Sequence, residues 1–148
     1  MKVIDLCSRN VTTAPATAPV ATVSKLMRTR HVGSVVVTGD GGPGKPTGIV
    51  TDRDIVMEVV AMGLDPATLT AGDIMTPSPA VAHAGDDALW ALKIMRDRGV
   101  RRLPVLDEKG ELAGLLAFDD LMEHVGTTLG DIAQVIGTER SVEAWRRA

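Results

Sequence analysis

Two short stretches combine residue types able to do binding chemistry. In Gly48-Ile49-Val50-Thr51-Asp52-Arg53-Asp54, a threonine ends a β-branched run and an aspartate follows three residues later. Gly114-Leu115-Leu116-Ala117-Phe118-Asp119-Asp120 is an imperfect copy that keeps the aspartate and replaces the threonine with Ala117. Thr-x-x-Asp before an apolar helix is close to a capping box, which satisfies orphan amides at a helix start. The same groups can also hold a ligand. A carboxylate accepts from two vicinal hydroxyls, and a hydroxyl at a helix start joins free amides around an anion. The two readings are compatible, because both use the same helix terminus.

Catalytic and metal-binding constellations do not form in the sequence. None of His31, His83 and His124 has another His or Cys at helical ligand spacing, and no Cys-x-x-Cys or His-Glu-x-x-His occurs. His31, and His124 near Gly126, are expected as positive charges at helix C-termini, and His83 as a loop residue. Gly39-Asp40-Gly41-Gly42-Pro43-Gly44-Lys45 lacks the Gly-Lys-[Ser/Thr] ending of a phosphate loop and falls within a hairpin. The close carboxylates Asp52 with Asp54 and Asp119 with Asp120 point in different directions on a new helix, which disfavours a shared cation. With no nucleophile-and-base set, the expectation is a protein that is not an enzyme, with no metal and no required cofactor.

The elements that must position these residues follow from hydrophobic periodicity. Val20, Val23, Leu26 and Met27 recur at helical spacing after Pro19, and Arg28 and Arg30 fall in the last turn. Ser34–Thr38 and Thr47–Val50 are strands of a hairpin with a glycine-rich loop. A helix is expected from Asp54 to Met62, ending at Gly63. The pattern then repeats. Asp73-Ile74-Met75-Thr76 follows Asp5-Leu6-Cys7-Ser8 at an offset of 68 residues, as Ile94-Met95-Arg96 follows Leu26-Met27-Arg28. Beyond the hairpin loop the offset becomes 66, which places the indel where indels are tolerated. The second copy has its long helix after Asp86 and Asp87, closed by Gly99, and its hairpin strands at Leu103–Leu106 and Leu112–Ala117.

Each copy therefore reads strand, helix, strand, strand, helix. Two copies are few for a solenoid. They are expected to pair about a pseudo-two-fold axis, with Val35–Val37 and Leu103–Leu106 forming a shared core. A short helix is expected near Ala71–Met75. The tail carries two short helical patterns, one with Ile132, Val135 and Ile136, the other with Val142 and Trp145. The resulting organisation is α+β: repeat one at 1–68, repeat two at 69–126, and a helical tail at 127–148.

Bulk composition narrows the function classes. At 148 residues the chain can bury roughly 70% of its unfolded surface without disulfides. One cysteine, Cys7, suits a reducing compartment and a small buried apolar role. Net charge is −3 with 24% charged residues, an ordinary balance without basic blocks, and aromatics are 2%, too few for base-stacking platforms. Nucleic acid is thereby disfavoured as a partner. The N-terminus lacks the apolar core of a signal peptide, and no run reaches membrane-spanning length. A cytoplasmic location is expected.

Two copies of this unit, each opening with Asp-[Leu/Ile]-x-[Ser/Thr], resemble CBS repeats, the module named after cystathionine β-synthase. Val100-Arg101-Arg102-Leu103-Pro104-Val105-Leu106-Asp107 is similar to the family's second-strand signature, and Gly48–Asp54 to its Gly-h-x-Thr-x-x-Asp ligand motif. The resemblance covers about residues 3 to 126. It implies a regulatory module binding an adenosine-containing ligand (AMP, ADP, ATP or S-adenosylmethionine) between paired repeats. It further implies a homodimer and a regulated partner protein. Carried onto this chain, Asp54 takes the ribose hydroxyls and Thr51 the ribose or phosphate. The base lies against the stretch containing Thr76, Pro79, Ala80 and Val81, and Arg101 and Arg102 face phosphate. For the other cleft the implied residues are Asp120 and the Cys7–Thr13 stretch with Thr12. Ala117 removes one hydrogen-bonding group there, so the Thr51/Asp54 cleft is expected to be the better one. The alternative is a dimerisation module whose clefts have lost their ligand.

Overall fold

A computed structural model describes residues 1–39, 41–42 and 44–147. The part of the glycine-rich loop formed by Asp40 and Pro43 lies outside the described residues.

The chain opens with a single helical turn, α1 (Val3–Leu6), where the sequence suggested only an apolar lead-in. Then follow β1 (Thr13–Pro15), α2 (Val20–Arg30), β2 (Ser34–Thr38), β3 (Pro46–Thr51) and α3 (Asp52–Ile55). A π-helical turn, Val56–Val60, continues α3, so the expected regular helix to Met62 is underwound partway. The second half runs α4 (Ala71–Ile74), β4 (Thr76–Pro77), β5 (Ala82–His83), α5 (Ala88–Arg98), β6 (Arg102–Leu106), β7 (Leu112–Ala117) and α6 (Phe118–Arg147). The predicted order of the two units is realised, and the fold is α+β as expected.

One expectation about the tail is corrected. Instead of two short helices, α6 is continuous for 30 residues. Gly126, Gly130 and Gly137 lower helix propensity without breaking the hydrogen-bond ladder, and no proline lies between Phe118 and Arg147. His124 consequently sits inside a helix rather than at its end.

The strands form a four-stranded sheet ordered β1-β2-β3-β4 and a three-stranded sheet ordered β5-β6-β7. In each, the first strand is parallel to the second and the hairpin is antiparallel. The segment opening each half crosses to the other half. Val3 N–H donates to Asp86 carbonyl at 2.8 Å and Ile4 N–H to Ala84 at 3.1 Å, while Ala71 donates to Ala18 and Gly72 to Ala16, both at 2.8 Å. These pairs are related by the 68-residue offset, so the exchange obeys the internal symmetry. Past each turn the symmetry continues: Thr76 pairs with Ile49 at the edge of one sheet, and Ser8 pairs with Leu115 at the edge of the other.

The single shared core expected from β2 and β6 resolves into two. Val35, Val37, Val23, Met27, Val50 and Ala71 form one cluster. Leu103, Val105, Leu116, Ala91, Met95 and Val3 form the other. Side chains alternate along a strand, so Val36, Pro104 and Leu106 face away from these clusters; they are buried nonetheless. Burial of both faces is what lets these strands read as uninterrupted apolar runs. The first hairpin loop also touches the second sheet, where Leu112 N–H donates to Gly44 carbonyl at 2.9 Å.

Candidate functional site

The Gly48–Asp54 stretch runs along β3 and turns directly into α3. Thr51 occupies the N-cap with an extended backbone, φ −108° and ψ 162°. Its Oγ1 accepts from Asp54 N–H at 3.2 Å, and Thr51 N–H donates to Asp54 Oδ2 at 2.8 Å. The expected capping box is thus fully formed. It fixes both side chains and leaves Asp54 Oδ1 without a partner among the described residues, so an acceptor remains for a ligand hydroxyl.

These residues form one wall of a cleft of about 300 Å³. From the first half come Ile49, Thr51, Asp52, Arg53 and Asp54; from beyond α4, Thr76, Pro79 and Ala80; from between α5 and β6, Gly99, Val100 and Arg101; and from the start of β6, Arg102. Of the sequence-predicted residues, Thr51, Asp54, Thr76, Pro79, Ala80, Arg101 and Arg102 are therefore brought together. Val81 is not on this wall. It lines an adjoining hollow with Trp90, Lys93 and Arg98.

Ile49, Asp52, Arg53, Gly99 and Val100 were not among the predicted residues. Ile49 could have been found from strand alternation, since it shares a face with Thr51. Arg53 and Asp52 lie inside the motif. Gly99 and Val100 immediately precede the two arginines, and only the crossing of the two halves brings them to the cleft.

The charges are of mixed sign. Asp52 and Asp54 face Arg53, Arg101 and Arg102, so cations exceed carboxylates by one around the cleft. Gly33 makes room for two of them: a Cβ built on it would lie 3.2 Å from Asp52 Oδ2 and 3.4 Å from Arg102 Nη2. Arg102, carried by the second sheet, thereby reaches the α2–β2 turn of the first half. Arg101 is more exposed. Its Nη2 donates to Asp119 Oδ1 at 3.0 Å, and its guanidinium lies 5.3 Å from the centre of the Phe118 ring. A carboxylate for hydroxyls, guanidinium groups for an anion, and the apolar Ile49, Pro79, Ala80 and Val100 suit a small ligand with polyol, anionic and apolar parts.

The twin motif is half built. Ala117 N–H donates to Asp120 Oδ2 at 2.8 Å, matching the Thr51–Asp54 backbone bond, but Ala117 supplies no hydroxyl in return. Thr12, predicted for that side, has its carbonyl engaged by Val36 N–H at 3.0 Å. Among the described residues, no three His, Cys, Asp or Glu side chains gather into a set that could hold a metal ion. Among them, too, no helix is long and apolar enough to cross a membrane.

Comparison with known proteins finds the same duplication. The family model described as CBS domain matches twice, at residues 3–61 and 71–127. The Methanopyrus kandleri protein MK0525 is 33% identical over 119 residues, covering 80% of this chain and 60% of that protein. Hypoxic response protein 1 of Mycobacterium tuberculosis is 31% identical over 121 residues, 82% of each chain. A solved structure of hypoxic response protein I, with two coordinated zinc ions, superposes with a TM-score of 0.73 at 30% identity, covering 84% of this chain and 98% of that one. The CBS domain protein PAE2072 from Pyrobaculum aerophilum, complexed with AMP, gives a TM-score of 0.75 at 30% identity over 82% of this chain and 90% of that one. The two matched repeats, their exchange of opening segments and the cleft between them place this chain in the CBS domain family.

Proposed function

We propose that this chain is a non-catalytic sensor that binds an adenine nucleotide in the Thr51/Asp54 cleft and reports its level through self-association or a regulated protein. The observation that carries this reading is the meeting of Asp54 and Arg102 from different repeats across one cleft. A ligand spanning both would bridge the two halves and couple occupancy to their relative position. At about 300 Å³, the cleft is at the small end of ligand sites, which favours a mononucleotide such as AMP over a dinucleotide. The AMP complex of the Pyrobaculum relative supports the ligand class.

Asp54 Oδ1 would accept from the ribose hydroxyls, and Thr51 and Arg102 would attend the phosphate. The base would lie against Thr76, Pro79 and Ala80, with aliphatic surface and backbone groups replacing aromatic stacking. A second reading, a dimerisation module without ligand, is favoured only by the loss of the threonine at Ala117, and so only for the other cleft.

Thermal unfolding against a panel of AMP, ADP, ATP, NADH and S-adenosylmethionine tests the proposal. A ligand at about 100 times its Kd stabilises the folded state by about 2.7 kcal/mol. AMP is expected to give the clearest shift. A panel in which no ligand moves the transition overturns the sensor reading.

A further inference from the structure

Arg101 stands where the Thr51/Asp54 cleft meets the root of α6, and it is engaged from the helix side. Its carbonyl accepts from Phe118 N–H at 2.8 Å, its Nη2 donates to Asp119 Oδ1 at 3.0 Å, and its guanidinium lies 5.3 Å from the centre of the Phe118 ring. The internal repeat supplies a comparison for this junction. In the first half Gly33 takes the place of Arg101 at the 68-residue offset, and Asp52 and Arg53 take the places of Phe118 and Asp119 at the 66-residue offset. The backbone bond survives there, with Asp52 N–H donating to the Gly33 carbonyl at 3.0 Å. The ion pair and the ring contact have no counterpart, so the joint between turn and helix forms without them. An exposed pair also stabilises a fold little, and the Arg101 and Asp119 side chains are 71% and 79% exposed. The backbone bond, not the pair, builds the joint.

We infer that Asp119 sets the cleft's affinity for phosphate by competing with the ligand for Arg101. The inference rests on the nucleotide reading of the cleft and adds a residue that does not line it. Around the cleft, Arg53, Arg101 and Arg102 outnumber Asp52 and Asp54 by one. Asp119 cancels that excess: with Arg101 engaged, cations and carboxylates balance, and the cleft has no net attraction for anions. A phosphate entering it must draw the Arg101 guanidinium off Asp119. The exchange is cheap, because a phosphate offers the guanidinium paired acceptors of the same geometry as a carboxylate. Asp119, left behind, still sits in the acidic first turn of α6, where the helix dipole favours it. A ligand without phosphate leaves the pair intact. Asp119 is thus a positioning residue for Arg101, and it weakens the binding of nucleotides relative to nucleosides.

Isothermal titration of the full chain with AMP and with adenosine tests this, at ~0.15 M salt, where charges more than about 8 Å apart are largely screened. Asp119→Asn is expected to bind AMP about 2- to 5-fold more tightly than the wild type, the range that an exposed ion pair sets. Adenosine is expected to bind both equally. In an Arg101→Gln background the same substitution is expected to leave AMP affinity unchanged, because Asp119 then has no guanidinium to hold. Both side chains are exposed, so the variants keep the folded core. Equal AMP affinities for wild type and Asp119→Asn overturn the inference. So does an equal gain for adenosine, or an equal gain with Arg101 replaced, which would mark a general effect of charge. A wild type that binds neither ligand overturns the nucleotide reading of the cleft itself, and this inference with it.

Discussion

The sulfur of Cys7 fills the space that a side chain at position 114 would need. A Cβ on Gly114 would stand 2.5 Å from Cys7 Sγ and 3.0 Å from the Ser8 carbonyl oxygen. The symmetric pair is Gly48 against Met75, again separated by the repeat offset. In each half, the residue after the opening helical turn is wedged onto a bare glycine of the opposite hairpin. The contact locks the exchanged segment in place.

Substituting Gly114→Ala should therefore push α1 off the second sheet. The expected cost is about 1–3 kcal/mol, the range for overpacking a tight interior. Urea unfolding measures it. Cys7 also reports on the contact: burial pushes its thiol pKa up, so alkylation should be slow in the wild type and faster in the variant. An unchanged midpoint with unchanged alkylation would show that the wedge has no energetic role.

The two clefts should respond differently to loss of their aspartates. Asp54→Ala removes the proposed ribose acceptor and half a capping box, and is expected to cut the nucleotide-induced shift to about half or less. A charged hydrogen bond contributes about 1.5–3 kcal/mol, or roughly a 10- to 100-fold loss of affinity. Asp120→Ala removes only the acceptor of the Ala117 N–H. It should lower the ligand-free transition slightly while leaving the shift nearly intact. Isothermal titration of both variants with AMP decides, and equal losses would contradict the ranking.

His31 and Gly99 close α2 and α5 at symmetry-related positions, and both have left-handed backbones, with φ of 54° and 64°. Glycine adopts that conformation freely, whereas a side chain does so at a cost. His31→Gly is expected to stabilise the protein by about 1 kcal/mol, measured as a higher urea midpoint. A fall in stability would mean that the imidazole contributes more than its backbone strain costs.

Two helix starts should respond to acid. The Leu89 N–H holds the Asp87 carboxyl below its usual range, and the Thr70 N–H does the same for Asp73. Because both folded-state pKa values are depressed, their stabilisation is complete above the unfolded-state pKa. It is lost as pH falls through the lower folded-state value. Asp87→Asn and Asp73→Asn should each flatten the decline in stability below the ordinary carboxylate value of 3.8. Unfolding midpoints between neutral pH and pH ~3 check the slope.

The sequence by itself determined the duplication, the order of the elements, and the capping box at Thr51 and Asp54. Those features are local or periodic: a cap needs residues three apart, a strand alternates with period two, and a repeat keeps its register. It also marked Thr76, Pro79, Ala80, Arg101 and Arg102, through resemblance rather than through their own pattern. Tertiary structure alone decided that Val3 and Cys7 complete the second core while Ala71 completes the first. It likewise decided that Gly99 and Val100 line a cleft opened by Thr51 and Asp54, and that Val81 faces elsewhere. Such choices depend on which surface each segment buries against a partner distant in the chain, and no local spacing encodes that.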